Sequence, residues 1–251
     1  MKTIEVLGTP LTATSYEEFT DYCHALSREP RARAVDLSNT QVVTMRRHDP
    51  EFQKITSQFD FFLPDGMPLV WCMNSRGAKL RDRVYGPRFM RHCLLRSPDA
   101  FTHYLLGGSE ECGRRLRERF STSRFVGAFH GKCNREGVLE GGAERQVIEE
   151  INRLSPDFIW VGLGTPKQDA WIYRHKSEIK RGVICAVGFA FDVNAGSKKD
   201  APEWMQRHGV TWLFRILSEP RRLLGRYLKY NTLFLFYLCS EKFRPGPTRS
   251  S

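Results

Sequence analysis

The chain has 251 residues, a formal charge of +11 and 41% hydrophobic residues, enough to bury a real core in one large domain or two small ones. The excess of positive charge calls for an acidic partner, whether nucleic acid, anionic lipid or a phosphorylated substrate. Seven scattered cysteines with no C-x-x-C pair argue against a zinc site or a disulfide framework and for a reducing compartment. The first ten residues lack a signal-peptide run, and the longest apolar stretch, Thr232 to Cys239, falls far below the ~20 residues of a membrane span.

Short apolar runs predict strands at Ala34–Leu37, Phe59–Leu63, Thr102–Leu106, Arg124–Phe129, Asp157–Gly162 and Val183–Val187. Several are apolar throughout, as strands covered on both faces must be. Helical patterns lie between them. Ser15 and Glu18 form a capping-box signature, Ser109 caps another helix, and Val147, Ile148, Ile151 and Leu154 have helical spacing between Glu144 and Leu154. The alternation predicts an α/β fold: a Rossmann-like parallel sheet with helices on both faces. Near Asp200 the composition shifts toward Trp, Leu, Phe and Arg. We therefore divide the chain into an α/β domain (1–200), a helical C-terminal appendage (201–244) and a disordered tail (245–251).

Ligands of an open parallel sheet bind beyond the carboxyl ends of its strands. Here those positions hold Ser38-Asn39, Pro64-Asp65-Gly66, Gly107-Gly108-Ser109, His130-Gly131, the Gly162 to Pro166 loop with Gly164, and Gly188 through Asp192. Glycines admit a ligand to the backbone and helix N-termini attract phosphate, so several such turns on one edge suit a nucleotide diphosphate. Any one glycine alone is an ordinary turn. The run from Val161 resembles the start of a dinucleotide fingerprint, but Lys167 occupies the third glycine position and no acid follows at the required distance. No P-loop motif is present.

Asp65 directly follows an apolar strand, where a carboxylate can take the proton of an attacking hydroxyl; on local sequence alone Asp65-Gly66 also reads as a turn dipeptide. Asp192 is placed either to accept hydrogen bonds from a base or ribose or to cap a helix. No D-x-D pair stands in a plausible turn, so no metal clamp is expected. In the appendage, Arg215, Arg222 and Arg226 recur at helical intervals, with Leu213, Ile216, Leu217, Leu223, Leu224 and Leu228 available to fill another face. Tyr227, Tyr230, Phe234, Phe236 and Tyr237 add aromatics. Such a pattern belongs either to an interfacial amphipathic helix or to an ordinary solvated one; the nearly all-positive charge favours the membrane surface.

Together, Pro64-Asp65-Gly66, Arg83-Val84-Tyr85-Gly86-Pro87, Leu106-Gly107-Gly108 and the run from Val161 to Trp171 resemble the WecG/TagA/CpsF family of bacterial glycosyltransferases. So do Val187 to Asp192, Ala195-Gly196, Ala201-Pro202 with Trp204, Trp212 to Arg215 and Glu219 to Arg222. The resemblance implies an inverting, UDP-sugar-dependent transferase that carries a hexose, an N-acetylhexosamine or its uronate to a polyprenyl-diphosphate-linked acceptor, in cell-surface or exopolysaccharide synthesis. It implies no cofactor, a membrane-docking appendage, and a cytoplasmic location, peripheral on the inner face of the membrane; a homo-oligomer stays open. Asp65 takes the place of the family's proposed base, Gln168 that of a donor-pocket glutamine, and Arg215, Arg221 and Arg222, with Arg226 added, those of arginines proposed to hold the acceptor diphosphate.

The sequence departs from the family pattern at Leu37, where a hydroxyl is expected, and at Arg88 for Asp, Asp169 for Glu, Asp200 for Arg and Thr211 for Glu. The missing Arg before Ala201 is expected to alter how the appendage packs. The rival readings are a nicotinamide-dependent oxidoreductase, against which the incomplete glycine pattern speaks, and a non-catalytic nucleic-acid-binding protein, against which the lack of an RNA-binding motif speaks.

Overall fold

The computed structural model describes residues 1–96 and 100–242; the expected tail at 245–251 lies outside them. The chain begins with β1 (Lys2–Val6), β2 (Thr9–Ala13), α1 (Tyr16–Leu26), β3 (Arg33–Ser38), α2 (Thr40–His48), α3 (Pro50–Thr56), β4 (Phe61–Pro64), α4 (Met67–Ser75) and α5 (Gly86–Arg96). It continues through β5 (Thr102–Gly107), α6 (Glu110–Arg119), β6 (Arg124–Phe129), α7 (Glu144–Leu154), β7 (Phe158–Gly162), α8 (Lys167–His175), β8 (Val183–Ala186) and α9 (Ala190–Asn194). Helices α10 (Glu203–Arg207), α11 (Thr211–Ser218) and α12 (Pro220–Lys242) complete it.

Eight strands form one sheet in the order β1-β2-β4-β3-β8-β7-β5-β6. The expected strands all appear, shifted by up to two residues at their ends, and all pair in parallel. Alternate side chains point to opposite faces. Ala34, Ile159 and Ile184 enter one core layer with Val43, Met73, Ile151 and Trp171. Val35, Trp160 and Cys185 enter the other with Phe19, Phe89, Leu116 and Phe191. Both faces are thus covered by helices, as expected.

The N-terminal hairpin is an addition. β1 pairs antiparallel with β2, and β2 then joins β4 in parallel. Leu7 (φ +50°) and Gly8 (φ +79°) form the two-residue connection, in which both positions take the left-handed conformation that matches strand twist. The expected caps are present: Ser15 Oγ accepts from the Glu18 N–H (3.2 Å) and Ser109 Oγ from the Cys112 N–H (3.2 Å).

Strand register decides what reaches the carboxyl edge of the sheet. Ser38 lies opposite Pro64, and the Asp65 N–H donates to the Ser38 carbonyl (2.7 Å), so Asn39 and Asp65 emerge side by side. Gly107 lies opposite Gly162 on the other half of the sheet.

α11 and α12 are separate helices, broken at Glu219-Pro220. The leucines expected on one face are therefore divided between two helices. Ile216 and Leu223 are buried, whereas Leu213, Leu217, Leu224 and Leu228 are 40 to 71% exposed. α12 lies along α2, where the Thr40 hydroxyl donates to Asn231 Oδ1 (3.0 Å) and His48 Nδ1 meets the Tyr237 hydroxyl (2.8 Å). Phe234, 3% exposed, joins the core layer that contains Val43. Among the described residues no helix is long and apolar enough to cross a membrane.

Candidate active site

The loops after β3, β4, β7 and β8 and the near side of α11 and α12 enclose a cavity of about 410 Å³. Of the residues singled out in the sequence, it brings together Asn39, Asp65, Gly164, Gln168, Asp192, Arg215, Arg222 and Arg226. Gly108 instead lines a neighbouring cavity of about 480 Å³ with Ser109, His130 and Lys132; the two cavities share Gly162, Leu163 and Lys167. Gly107 and Arg221 line neither. Gly107 is buried at φ +98°, and a Cβ there would come within 2.8 Å of Leu163 Cδ2, so packing and backbone conformation demand the glycine. Arg221 is exposed on α12.

Asp65 sits on the turn between β4 and α4. Its carboxylate receives the Gly86 N–H at Oδ2 (3.3 Å), and Arg83 Nη1 donates to its backbone carbonyl (3.2 Å). Burial pushes the carboxyl up to about 7; the charges of Arg83 and Arg215 and the Gly86 N–H oppose that rise, and Asp36 adds to it. A carboxylate poised near neutrality is suited to accept a proton from a substrate hydroxyl.

Gln168, in the first turn of α8, ties down the glycine loop: its Oε1 accepts from the Gly164 N–H (3.0 Å) and its Nε2 donates to Thr165 Oγ1 (3.4 Å). Asn39 is the N-cap of α2, accepting from the N–H groups of Gln41 (2.9 Å) and Val42 (3.2 Å). That occupies Oδ1 and leaves the amide NH₂ as its donor group. Asp192 lies within α9 rather than at a cap, 3.4 Å from Lys198 Nζ.

The opposite wall is cationic. Arg215, Arg222, Arg226 and Lys198 all line the cavity. Arg215 stacks on Phe189, 4.0 Å from the ring centroid. Glu219 accepts from Arg222 Nε (2.5 Å) and Lys198 Nζ (2.8 Å), which hold its carboxyl down at about 2. The Nε atoms of Arg215 and Arg226 are buried without a partner, and burial, together with neighbouring Arg215 and Arg222, lowers the Arg226 pKa. Such a donor is suited to an anion that accepts its hydrogen bond.

Residues 4–247 match the model of the glycosyl transferase WecG/TagA/CpsF family. The chain belongs to that family. Curated relatives from Staphylococcus aureus strains MRSA252, MW2 and NCTC 8325 are each 27% identical to it over 210 residues, which is 82% of this chain and 79% of theirs. Each is called an N-acetylglucosaminyldiphosphoundecaprenol N-acetyl-beta-D-mannosaminyltransferase.

The cavity of this glycosyltransferase includes groups that sequence reasoning missed. Tyr85 and Phe189, which line it, and Arg83, which lines the small space adjoining it, lay inside quoted motifs, but only the fold gives them contacts. Arg83 stacks over Tyr85 at 4.3 Å and donates from Nη2 to Thr211 Oγ1 (2.9 Å). Lys167 also lay inside a quoted motif, whereas Lys198 carried no signal of its own. The departures also find partners. The Tyr85 hydroxyl donates to Asp200 (2.7 Å), which also accepts from Gln206 Nε2 (3.2 Å). Arg88 lies between Asp82 (4.0 Å) and Glu203 (3.9 Å). Asp169 is fully buried close to Asp36; burial and the Asp36 charge push its carboxyl well above the usual range, and burial raises Asp36 to about 6.

Proposed function

We propose that this glycosyltransferase moves a sugar from a UDP-sugar to a polyprenyl-diphosphate-linked saccharide with inversion, working peripherally on the inner face of the cytoplasmic membrane. The observation that carries this reading is one cavity with Asp65 on one wall and the unpartnered guanidinium nitrogens of Arg215 and Arg226 on the other. A general base and a diphosphate-sized cationic pocket are what such a transfer needs in one place.

In this reading the acceptor hydroxyl attacks the anomeric carbon, Asp65 takes its proton, and the bond from that carbon to the UDP oxygen breaks. The departing diphosphate is met by Lys167 and the backbone N–H groups of the glycine loop before α8. The neighbouring cavity, which shares Gly162, Leu163 and Lys167, offers the space for the uridine. Arg215, Arg222 and Arg226 receive the acceptor diphosphate, whose paired oxygens suit planar guanidinium forks. The beta linkage in the relatives' name is what a single displacement on an alpha-linked donor produces, and that name makes N-acetylmannosamine the first sugar to test. Exposed Trp204, Trp212, Leu213 and Leu217 near the cationic wall support docking on a lipid surface.

The test is a UDP-release screen over several UDP-sugars with a short-chain polyprenyl-diphosphate-linked N-acetylglucosamine. Release is expected only when both donor and acceptor are present. No acceptor-dependent release from any UDP-sugar would overturn the proposal.

A further inference from the structure

A second space, of mixed polar and apolar lining, adjoins the catalytic cavity. Behind Asp65 a slot of about 80 Å³ runs between the start of α4 and the near side of α12, lined by Met67, Gly209, Trp212, Tyr227 and Asn231. Farther along the same two helices lies a groove of about 580 Å³, lined by Trp71, Ser75, Leu235, Leu238 and Cys239. Met67, Trp71 and Ser75 are spaced by four on α4, and Tyr227, Asn231, Leu235 and Leu238 by four, four and three on α12. Each set is one stripe along its helix, so the same two stripes wall both spaces. Gly209 packs against α4 between the two, where an added Cβ would lie 2.8 Å from Met67 Cβ and 3.2 Å from Trp71 Cη2. At the far end Arg76 and Glu241 pair across the groove (3.1 Å). The α4 stripe extends roughly 12 Å from Met67 to Ser75.

We infer that this groove holds the first isoprene units of the acceptor's lipid tail while its diphosphate lies on Arg215 and Arg226. The inference rests on the acceptor class proposed above and adds where the tail goes. Its lining is mostly apolar, it continues along the same two helices from the slot that Asp65 lines, and Trp71 (54% exposed) and Leu235 (62% exposed) offer apolar surface that the fold itself leaves uncovered. A polyprenyl diphosphate seated at the cationic wall has this groove for its hydrocarbon, so the protein reads the tail as well as the sugar.

The experiment is photo-crosslinking of the full-length protein in detergent with a diazirine-bearing farnesyl diphosphate, followed by peptide mapping. Label is expected on the α4 segment containing Trp71 and the α12 segment containing Leu235 and Leu238. Trp71→Ala and Leu235→Gln, both at exposed positions, should each lower the yield about tenfold, as loss of an apolar anchor does. Leu95→Gln, at an exposed position on α5 outside the groove, should leave it unchanged. Absence of label, label elsewhere, or equal loss in all three variants overturns the inference. So does a matching fall in binding to acceptor-free anionic vesicles, which would make the groove a membrane contact. Sugar transfer is assayed separately. Groove labelling without any transfer sinks the proposed reaction and leaves the tail site standing, while transfer with label outside the groove sinks the tail site alone.

Discussion

Arg83 Nη2 donates to Thr211 Oγ1 at 2.9 Å, across 128 residues of sequence. The same guanidinium donates from Nη1 to the Asp65 carbonyl at 3.2 Å, so one side chain fastens the turn that carries the carboxylate to the first residue of α11. Thr211 is neutral where the family commonly has Glu. The Arg83 charge is the largest influence opposing the rise that burial causes at Asp65.

Asp65→Asn should lower turnover by ~10²–10⁴, the range for loss of a general base, while UDP binding persists. It should also change stability in a pH-dependent way. The folded carboxyl sits near 7, above its unfolded value, so wild type loses stability as pH rises from about 4 to 7. The variant should therefore melt a few degrees above wild type at pH 8, with the gap closing toward pH 4. Near-normal turnover would refute the assignment; a gap that widens on acidification would refute the raised pKa.

In wild type kcat/KM should rise with pH through about 7, as Asp65 loses its proton. Arg83→Gln and Arg215→Gln each remove a cation that favours the ionised form, so each should move that limb to higher pH. Limbs that coincide with wild type in both variants would contradict this electrostatic picture.

Adjacent arginines on α12 should separate in function. Arg222 lines the cavity, whereas Arg221 is exposed and outside it. In detergent, Arg222→Ala and Arg226→Ala should raise the acceptor KM by roughly 10–100-fold, the equivalent of a charge-assisted hydrogen bond. Arg221→Ala should stay near wild type there and weaken only binding to anionic vesicles, an effect that salt removes. Equal acceptor KM values for the Arg221 and Arg222 variants would refute the division.

Phe234→Ala should destabilise the protein by ~3–5 kcal/mol, because it empties a buried aromatic site between α12 and the sheet. Chemical denaturation read by circular dichroism measures it. A loss below ~1 kcal/mol would mean that α12 is not anchored through this residue.

Chelation should leave activity largely intact. Arg215, Arg222, Arg226, Lys167 and Lys198 already supply positive charge around the cavity. Complete loss of UDP release in EDTA, restored by manganese or magnesium, would refute this.

Much of the architecture was legible because its signals are local. Apolar runs at Phe158–Gly162 and Val183–Ala186, the caps at Ser15 and Ser109, and the helical period from Glu144 each follow from a few neighbouring residues. The β1–β2 hairpin had a weaker signal, alternating Ile4 and Val6 before Leu7-Gly8, and its edge position reduces the apolar content that marks a buried strand. Asp65 and Gln168 were legible by motif, and Asp65 also by its place after a strand.

What the sequence alone determined is chemistry and order: which turns end the strands, which carry glycine or carboxylate, and where cations accumulate. Distance was left to the tertiary structure. Parallel register places Asn39 beside Asp65, and the return of α12 along α2 places Arg226 in the cavity while Arg221, five residues before it, stays outside. The break at Pro220 undoes the single helical face that spacing implied. Arg83 gains its role only when Thr211 arrives from the far end of the chain. Local propensity is set by neighbours in sequence, but a site is set by which surfaces bury one another, and that is decided when the layers pack.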